Sequence, residues 1–187
     1  MMKTVRLNTP TLLTVIRMIL SLIFLMFVLI PAGWSRAIAL IFFLIAASTD
    51  KIDGYLARKN HETTDLGAFL DPLADKMLVN LALLALTYLN IVPVWVFAII
   101  LVRDFAVDGL RMTLAKKHKT LPAFPIGKLK TTTQIIAIAI LLFNLLLNNG
   151  FVAVIGNIFL YLSLFLTVLS GAYYSKSYSK YLKSDSK

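Results

Sequence analysis

The chain has 187 residues, 59% of them hydrophobic, and a mean hydropathy of +0.82. A soluble domain is about half apolar, so this composition excludes one and points to an integral membrane protein with room for a single compact bundle. The absence of cysteine excludes disulfides, thiolate metal sites and cysteine nucleophiles; the formal charge of +10, without a basic-aromatic ribbon or nucleic-acid module, fits loops facing anionic lipid rather than a nucleic-acid partner.

Six stretches approach the ~20 residues that cross a bilayer: approximately 11–30, 36–58, 66–89, 92–116, 131–147 and 151–174. The first follows Lys3 and Arg6, and its apolar run from Leu12 to Ile30 exceeds a signal-peptide core of roughly 7–15 residues, so it reads as a retained span. Three connections are short and nearly uncharged: Pro31-Ala32-Gly33, Asn90-Ile91 and Asn148-Asn149-Gly150. The others are basic or mixed: RKNHETTD at 58–65, KKHKTLPAFPIGKLK at 116–130 and YYSKSYSKYLKSDSK at 173–187. Charge therefore alternates sides, and the positive-inside rule predicts a single six-span helical domain over residues 1–187 with both termini in the cytoplasm. Residues 173–187 form a cytoplasmic tail in this reading, weakly ordered after Tyr174, with Tyr173, Tyr174, Tyr178 and Tyr181 as headgroup anchors.

The stretch STDKIDGYLARKNHETTDLGAFLDPLADK at 48–76 holds four aspartates at the cytoplasmic ends of the second and third spans. Asp50 and Asp53 share a helix face, as do Gly67, Asp71 and Asp75. One charged Asp in mid-membrane costs about 2.5–3.5 kcal/mol, and four together also repel. Divalent cations remove that cost, and an oxygen-only site suits Mg²⁺ or Mn²⁺; four carboxylates are enough for two ions, which can clamp phosphoryl groups. The bland alternative is an ion-pair network with Lys51, Arg58, Lys59 and Lys76. Gly54, Ala57 and Gly67 let a bulky group, or a neighbouring helix, come close to the backbone. Pro72 opens or kinks a helix directly after Asp71.

The pattern Asp50-x₂-Asp53-Gly54-x₂-Ala57-Arg58-x₈-Gly67-x₃-Asp71-x₃-Asp75 resembles the signature of the CDP-alcohol phosphatidyltransferases, with eight fixed positions over 26 residues. These are six-span, usually dimeric membrane enzymes that displace CMP from a CDP-linked lipid or alcohol. The resemblance implies that Asp50, Asp53 and Asp71 hold one metal ion, and Asp50, Asp71 and Asp75 a second. It further implies that Asp75 accepts the proton of the acceptor hydroxyl. Gly54, Ala57, Arg58, Thr64 and Gly67 would lie against the cytidine diphosphate.

The acceptor is read from the remaining cytoplasmic half. NTPTLLTVIRM at 8–18, VRDFAVDGLR at 102–111 and IGKLKTTTQ at 126–134 resemble the phosphatidylglycerophosphate-forming branch of that family. Asn8 and Thr14 join the CDP-binding set through this resemblance. Thr11 stands where Asn is usual, Asp104 where Glu is usual, and Asp108 where a small residue is usual. Glycerol-3-phosphate is a dianion and needs cations near a site already holding a diphosphate; Arg17, Arg103, Arg111, Lys128 and Lys130 are the candidates. The alternatives are interface anchoring for Lys128 and Lys130, snorkelling for Arg17, and pairing with Asp104 or Asp108 for Arg111.

The expected activity is transfer of the phosphatidyl group from CDP-diacylglycerol to glycerol-3-phosphate at the cytoplasmic face of the cell membrane, by a homodimer among membrane lipids. Rival readings are a relative using serine, inositol phosphate or phosphatidylglycerol, a membrane prenyltransferase, or a cation transporter. The last would place its carboxylates at the midplane.

Overall fold

A computed structural model describes the backbone of residues 9–60, 65–115 and 125–185, and, within these, the side chains outside 9–11, 50–60, 65–69, 71, 72, 75, 111, 115, 125 and 179–185. The described residues form six α-helices and no strand: α1 (Thr9–Leu29), α2 (Gly33–Asn60), α3 (Asp65–Tyr88), α4 (Val94–Ala115), α5 (Pro125–Leu147) and α6 (Gly150–Asp185).

Helix ends follow from local chemistry. Pro31 cannot continue α1, and Ser35 Oγ donates to the carbonyls of Ile30 and Ala32, both at 2.8 Å, closing the turn into α2. α3 ends on Asn90 at φ 58°, a left-handed conformation that asparagine tolerates. The amides of Ile91 and Val92 then return to the carbonyl of Leu86 at 2.9 and 3.2 Å. The α5–α6 corner repeats the device with Asn148 at φ 48°. There Asn149 Oδ1 accepts from the amides of Phe151 (2.9 Å) and Val152 (3.4 Å), capping α6.

Two boundaries depart from the sequence reading. α5 begins at Pro125 rather than near residue 131, so Lys128 and Lys130 stand on a helix rather than in a loop; proline is suited to a first helical position because its missing amide would have no partner there. α6 does not fade after Tyr174 but continues to Asp185. Residues 175–185 contain no Gly or Pro that would stop it.

All six helices contribute to one core, through Phe24 and Val28 of α1, Phe43 of α2, Leu83 and Leu86 of α3, Ile100 of α4, Leu141 and Leu142 of α5, and Leu160 of α6. α1 packs against both α2 and α3, α5 against α6, α2 and α3, and α6 also against α4. The outer surface is equally apolar, with Met26, Val102, Phe105, Phe151, Ile158 and Phe165 exposed. A chain greasy on both faces of its helices is suited to lipid, not water. Among the described residues, three segments are long and apolar enough to cross a membrane by length and composition: Leu12–Leu29, Ile126–Leu147 and Gly150–Tyr178. Among the described residues, two shorter apolar stretches, Gly33–Thr49 and Lys76–Tyr88, lie in α2 and α3.

Candidate functional site

The aspartates occupy the end of α2 and the beginning of α3, helices that contact each other. Asp50 and Asp53 lie one turn apart on α2 with Gly54, Ala57 and Arg58 following; Gly67, Asp71 and Asp75 lie at four-residue steps on α3. The backbone thus bears out the helical register on which the carboxylate grouping rests. The side chains of Asp50, Asp53, Ala57, Arg58, Asp71, Asp75 and Arg111 lie outside the described residues, as do Asn8 and Thr64 entirely; the convergence of the carboxylates is not among the described contacts.

What can be described is the floor beneath that segment. Arg17 of α1 is only 2% exposed, so it does not snorkel out to the interface. It lines a cavity of about 40 Å³ with Ala46 and Ala47 of α2, Leu78 and Val79 of α3, and Thr131 and Ile135 of α5. Ala46 is four residues before Asp50, and Val79 four after Asp75. The guanidinium-bearing side chain is therefore set about one helical turn deeper than the aspartates on both motif helices. Thr14, one turn before Arg17 on α1, is fully buried as well.

A second polar centre joins α4, α5 and α6. Arg103 Nη1 donates to Asp104 Oδ1 at 2.8 Å, and Lys130 Nζ of α5 donates to the same oxygen. Arg103 Nη2 donates to Ser170 Oγ of α6 at 2.8 Å, and Ser170 Oγ donates onward to the carbonyl of Thr167 at 3.0 Å. The Arg103 guanidinium lies 5.9 Å from the ring centre of Tyr174, within cation–π range. Gly171 makes room for it: a Cβ there would stand 3.1 Å from Arg103 Cγ. Arg103 Nε is buried and has no hydrogen-bond partner among the described residues. Asp104 and Lys130 are both buried.

Two cations thus share one carboxylate inside the bundle, leaving one positive charge in excess in this triad. A buried excess charge is costly unless something of opposite sign meets it. One turn further along α4, Asp108 forms an ion pair with Lys76 of α3. That pair ties the level of Asp75, the residue before Lys76, to the level of Asp108; the Arg103–Asp104 pair lies about 6 Å deeper along α4.

The structure accordingly brings Arg103 and Lys130 together, and sets Arg17 beside the motif helices. It leaves Lys128 exposed, as an interface anchor would be. Tyr174 corrects the sequence reading: it is 1% exposed and packed on Arg103, not an anchor among headgroups. Sequence reasoning also missed Ser170, Gly171 and the linking role of Asp104. A signal existed: Ser163, Thr167, Ser170 and Tyr174 recur at steps of four, three and four, a single helical stripe, and all four are buried.

Comparison with known proteins adds to this geometry. Residues 7–169 match the family model for CDP-alcohol phosphatidyltransferase. A Bacillus subtilis protein named CDP-diacylglycerol–glycerol-3-phosphate 3-phosphatidyltransferase is 39% identical over 184 residues, covering 91% of this chain and 95% of that protein. Proteins of the same name from Rickettsia bellii and Escherichia coli K12 are 34% and 40% identical, covering 93% and 73% of this chain and 97% and 78% of theirs.

Proposed function

The chain belongs to the CDP-alcohol phosphatidyltransferase family, and on that premise we propose that it transfers the phosphatidyl group of CDP-diacylglycerol to sn-glycerol-3-phosphate, releasing CMP and leaving phosphatidylglycerophosphate in the membrane. The observation that carries the choice of acceptor is the gathering of Arg103 and Lys130 on Asp104 in the bundle interior, a buried centre with positive charge to spare for a phosphate.

The donor set of the motif fits hard divalent cations. Asp50 and Asp53 on one helix and Asp71 and Asp75 on the next offer oxygen alone, the chemistry of Mg²⁺ or Mn²⁺. Asp50, Asp53 and Asp71 would hold one ion, and Asp50, Asp71 and Asp75 the other, where they would draw charge from the diphosphate. Asp75 takes the proton of the acceptor hydroxyl. The freed oxygen bonds to the phosphorus nearer the lipid, the bond from that phosphorus to the CMP oxygen breaks, and CMP departs with the electron pair. Gly54, Ala57 and Gly67 leave room for the nucleotide, with Arg58, Thr64, Asn8 and Thr14 against it. Arg103, Lys130, Arg17 and Arg111 receive the acceptor phosphate, with Lys128 at the membrane surface.

All six helices cross the membrane in this reading, as one domain over residues 1–187. The aspartate-bearing ends and residues 173–187 face the cytoplasm, and the protein works as a homodimer in the cell membrane. Lipid packing holds the acyl chains so that the reacting phosphate rests at headgroup depth.

The test is CMP release by purified protein given CDP-diacylglycerol and each candidate acceptor, with Mg²⁺, with Mn²⁺, or with chelator. Release with glycerol-3-phosphate and metal, and none with chelator, is expected. Release only with serine, inositol phosphate or phosphatidylglycerol would transfer the assignment to another member of the family.

A further inference from the structure

We propose that Asp104 is a positioning residue for the acceptor: one carboxylate oxygen fastens Arg103 and Lys130 side by side, so that two cations from different helices meet the acceptor phosphate as a preformed pair. This rests on the reading above that Arg103 and Lys130 bind that phosphate.

Arg103 and Lys130 belong to α4 and α5, and their charges repel. Nothing in either helix alone would keep them adjacent. Asp104 Oδ1 takes a hydrogen bond from each, which offsets the repulsion and fixes the distance between them. α6 completes the fastening. Ser170 Oγ accepts from Arg103 Nη2, Tyr174 covers the guanidinium, and Gly171 admits the side chain. The guanidinium is thereby held on two of its nitrogens, while Nε, buried and without a partner among the described residues, remains a donor for a further oxygen.

The stoichiometry matters as much as the geometry. Among the described residues, one carboxylate for two cations leaves the centre attractive to an anion; a second would cancel it, and none would leave the cations to push apart. Asp104 thus prepares the site rather than occupying it. Because it contacts the cations and not the reacting atoms, its loss acts on acceptor affinity before it acts on turnover at saturation.

The test uses the full chain reconstituted with CDP-diacylglycerol, with glycerol-3-phosphate as the varied substrate and CMP release as the readout. Asp104→Asn is expected to raise KM for glycerol-3-phosphate about tenfold or more, with a much smaller change in kcat and in KM for CDP-diacylglycerol. Asp104→Glu, which keeps the carboxylate, is expected to return the acceptor KM to within about threefold of the parent. Arg103→Gln and Lys130→Gln separate two failures. If both raise the acceptor KM while Asp104→Asn leaves it unchanged, the positioning role is overturned and the acceptor site stands. If neither raises it, the acceptor site itself is wrong. Should Asp104→Asn not fold, Ser170→Ala decides: it loosens only the guanidinium, and an acceptor KM raised about threefold at constant kcat supports the proposal, whereas an unchanged KM overturns it.

Discussion

Asp75 carries the heaviest chemical load in the proposed reaction, since it touches both the hydroxyl that attacks and the ion that steadies the diphosphate. Asp75→Asn keeps the size of the side chain and an oxygen donor but removes the basic lone pair. Titration of CDP-diacylglycerol binding should shift by a few-fold at most, while kcat falls by about 10²–10⁴, the usual contribution of a positioned base. Near-normal turnover in this variant would remove Asp75 from that role. The aspartate pattern is legible in the sequence because it is local: steps of three and four residues on a helix need no tertiary information. The Arg103 centre is not legible in that way. Its parts are separated by 26 and 67 residues, and only helix packing brings Ser170 and Lys130 to Arg103. Sequence logic stops at the statement that Arg103, deep in an apolar run, needs a partner. It offers Asp104 or Asp108 to Arg111, whose side chain lies outside the described residues, and it does not foresee that Asp104 receives its own neighbour and Lys130.

Individual helices were the most readable unit, since apolar runs bounded by Pro, Gly and Asn leave few choices of boundary. The expected spans for α1 to α4 agree with the observed helices to within about three residues. The two larger departures, at the start of α5 and the end of α6, share a cause. Both lie where polar sequence suggested a loop, yet the backbone has a proline suited to helix initiation in one case and no breaker in the other. Contact between helices depends on finer features. A Cβ at Gly156 of α6 would come within 2.6 Å of Leu141 Cδ2 and 2.9 Å of Leu141 Cγ on α5, closer than atoms can approach. Gly156→Val should therefore force α5 and α6 apart. Overpacking costs about 1–3 kcal/mol, reduced by the better helix propensity of the new residue. A net loss of about 2 kcal/mol corresponds to about 4–8 °C in a protein of this size. Thermal unfolding in detergent, followed by tryptophan fluorescence, measures it. Gly150→Ala, where nothing lies within 4 Å of the new carbon, is the control and should stay within about 1 °C. Equal Tm values for the two variants would mean that the α5–α6 seam yields without cost.

For the whole molecule, orientation decides whether the reaction is feasible. Nucleotide and phosphorylated acceptor belong to the cytoplasm, so the ends of α2 and α3 that bear the aspartates must open there. The charge pattern argues for it: basic segments flank that side, while the α1–α2 and α5–α6 corners carry almost no charge. Because the chain has no cysteine, single introduced thiols report topology without background. Gly33 and Gly150 are suitable outer positions, since a Cβ at either meets nothing within 4 Å, and exposed Ser175 on α6 serves as the inner one. A membrane-impermeant maleimide added to intact spheroplasts is expected to label Gly33→Cys and Gly150→Cys and to spare Ser175→Cys until the membrane is permeabilised. The reverse pattern would set the aspartates on the far side from nucleotide and acceptor, and an enzyme so oriented could not carry out the proposed transfer in the cell. Labelling of all three from outside would instead show that α6 does not cross, and with it would fall the arrangement that keeps Ser170 and Tyr174 buried beside Arg103.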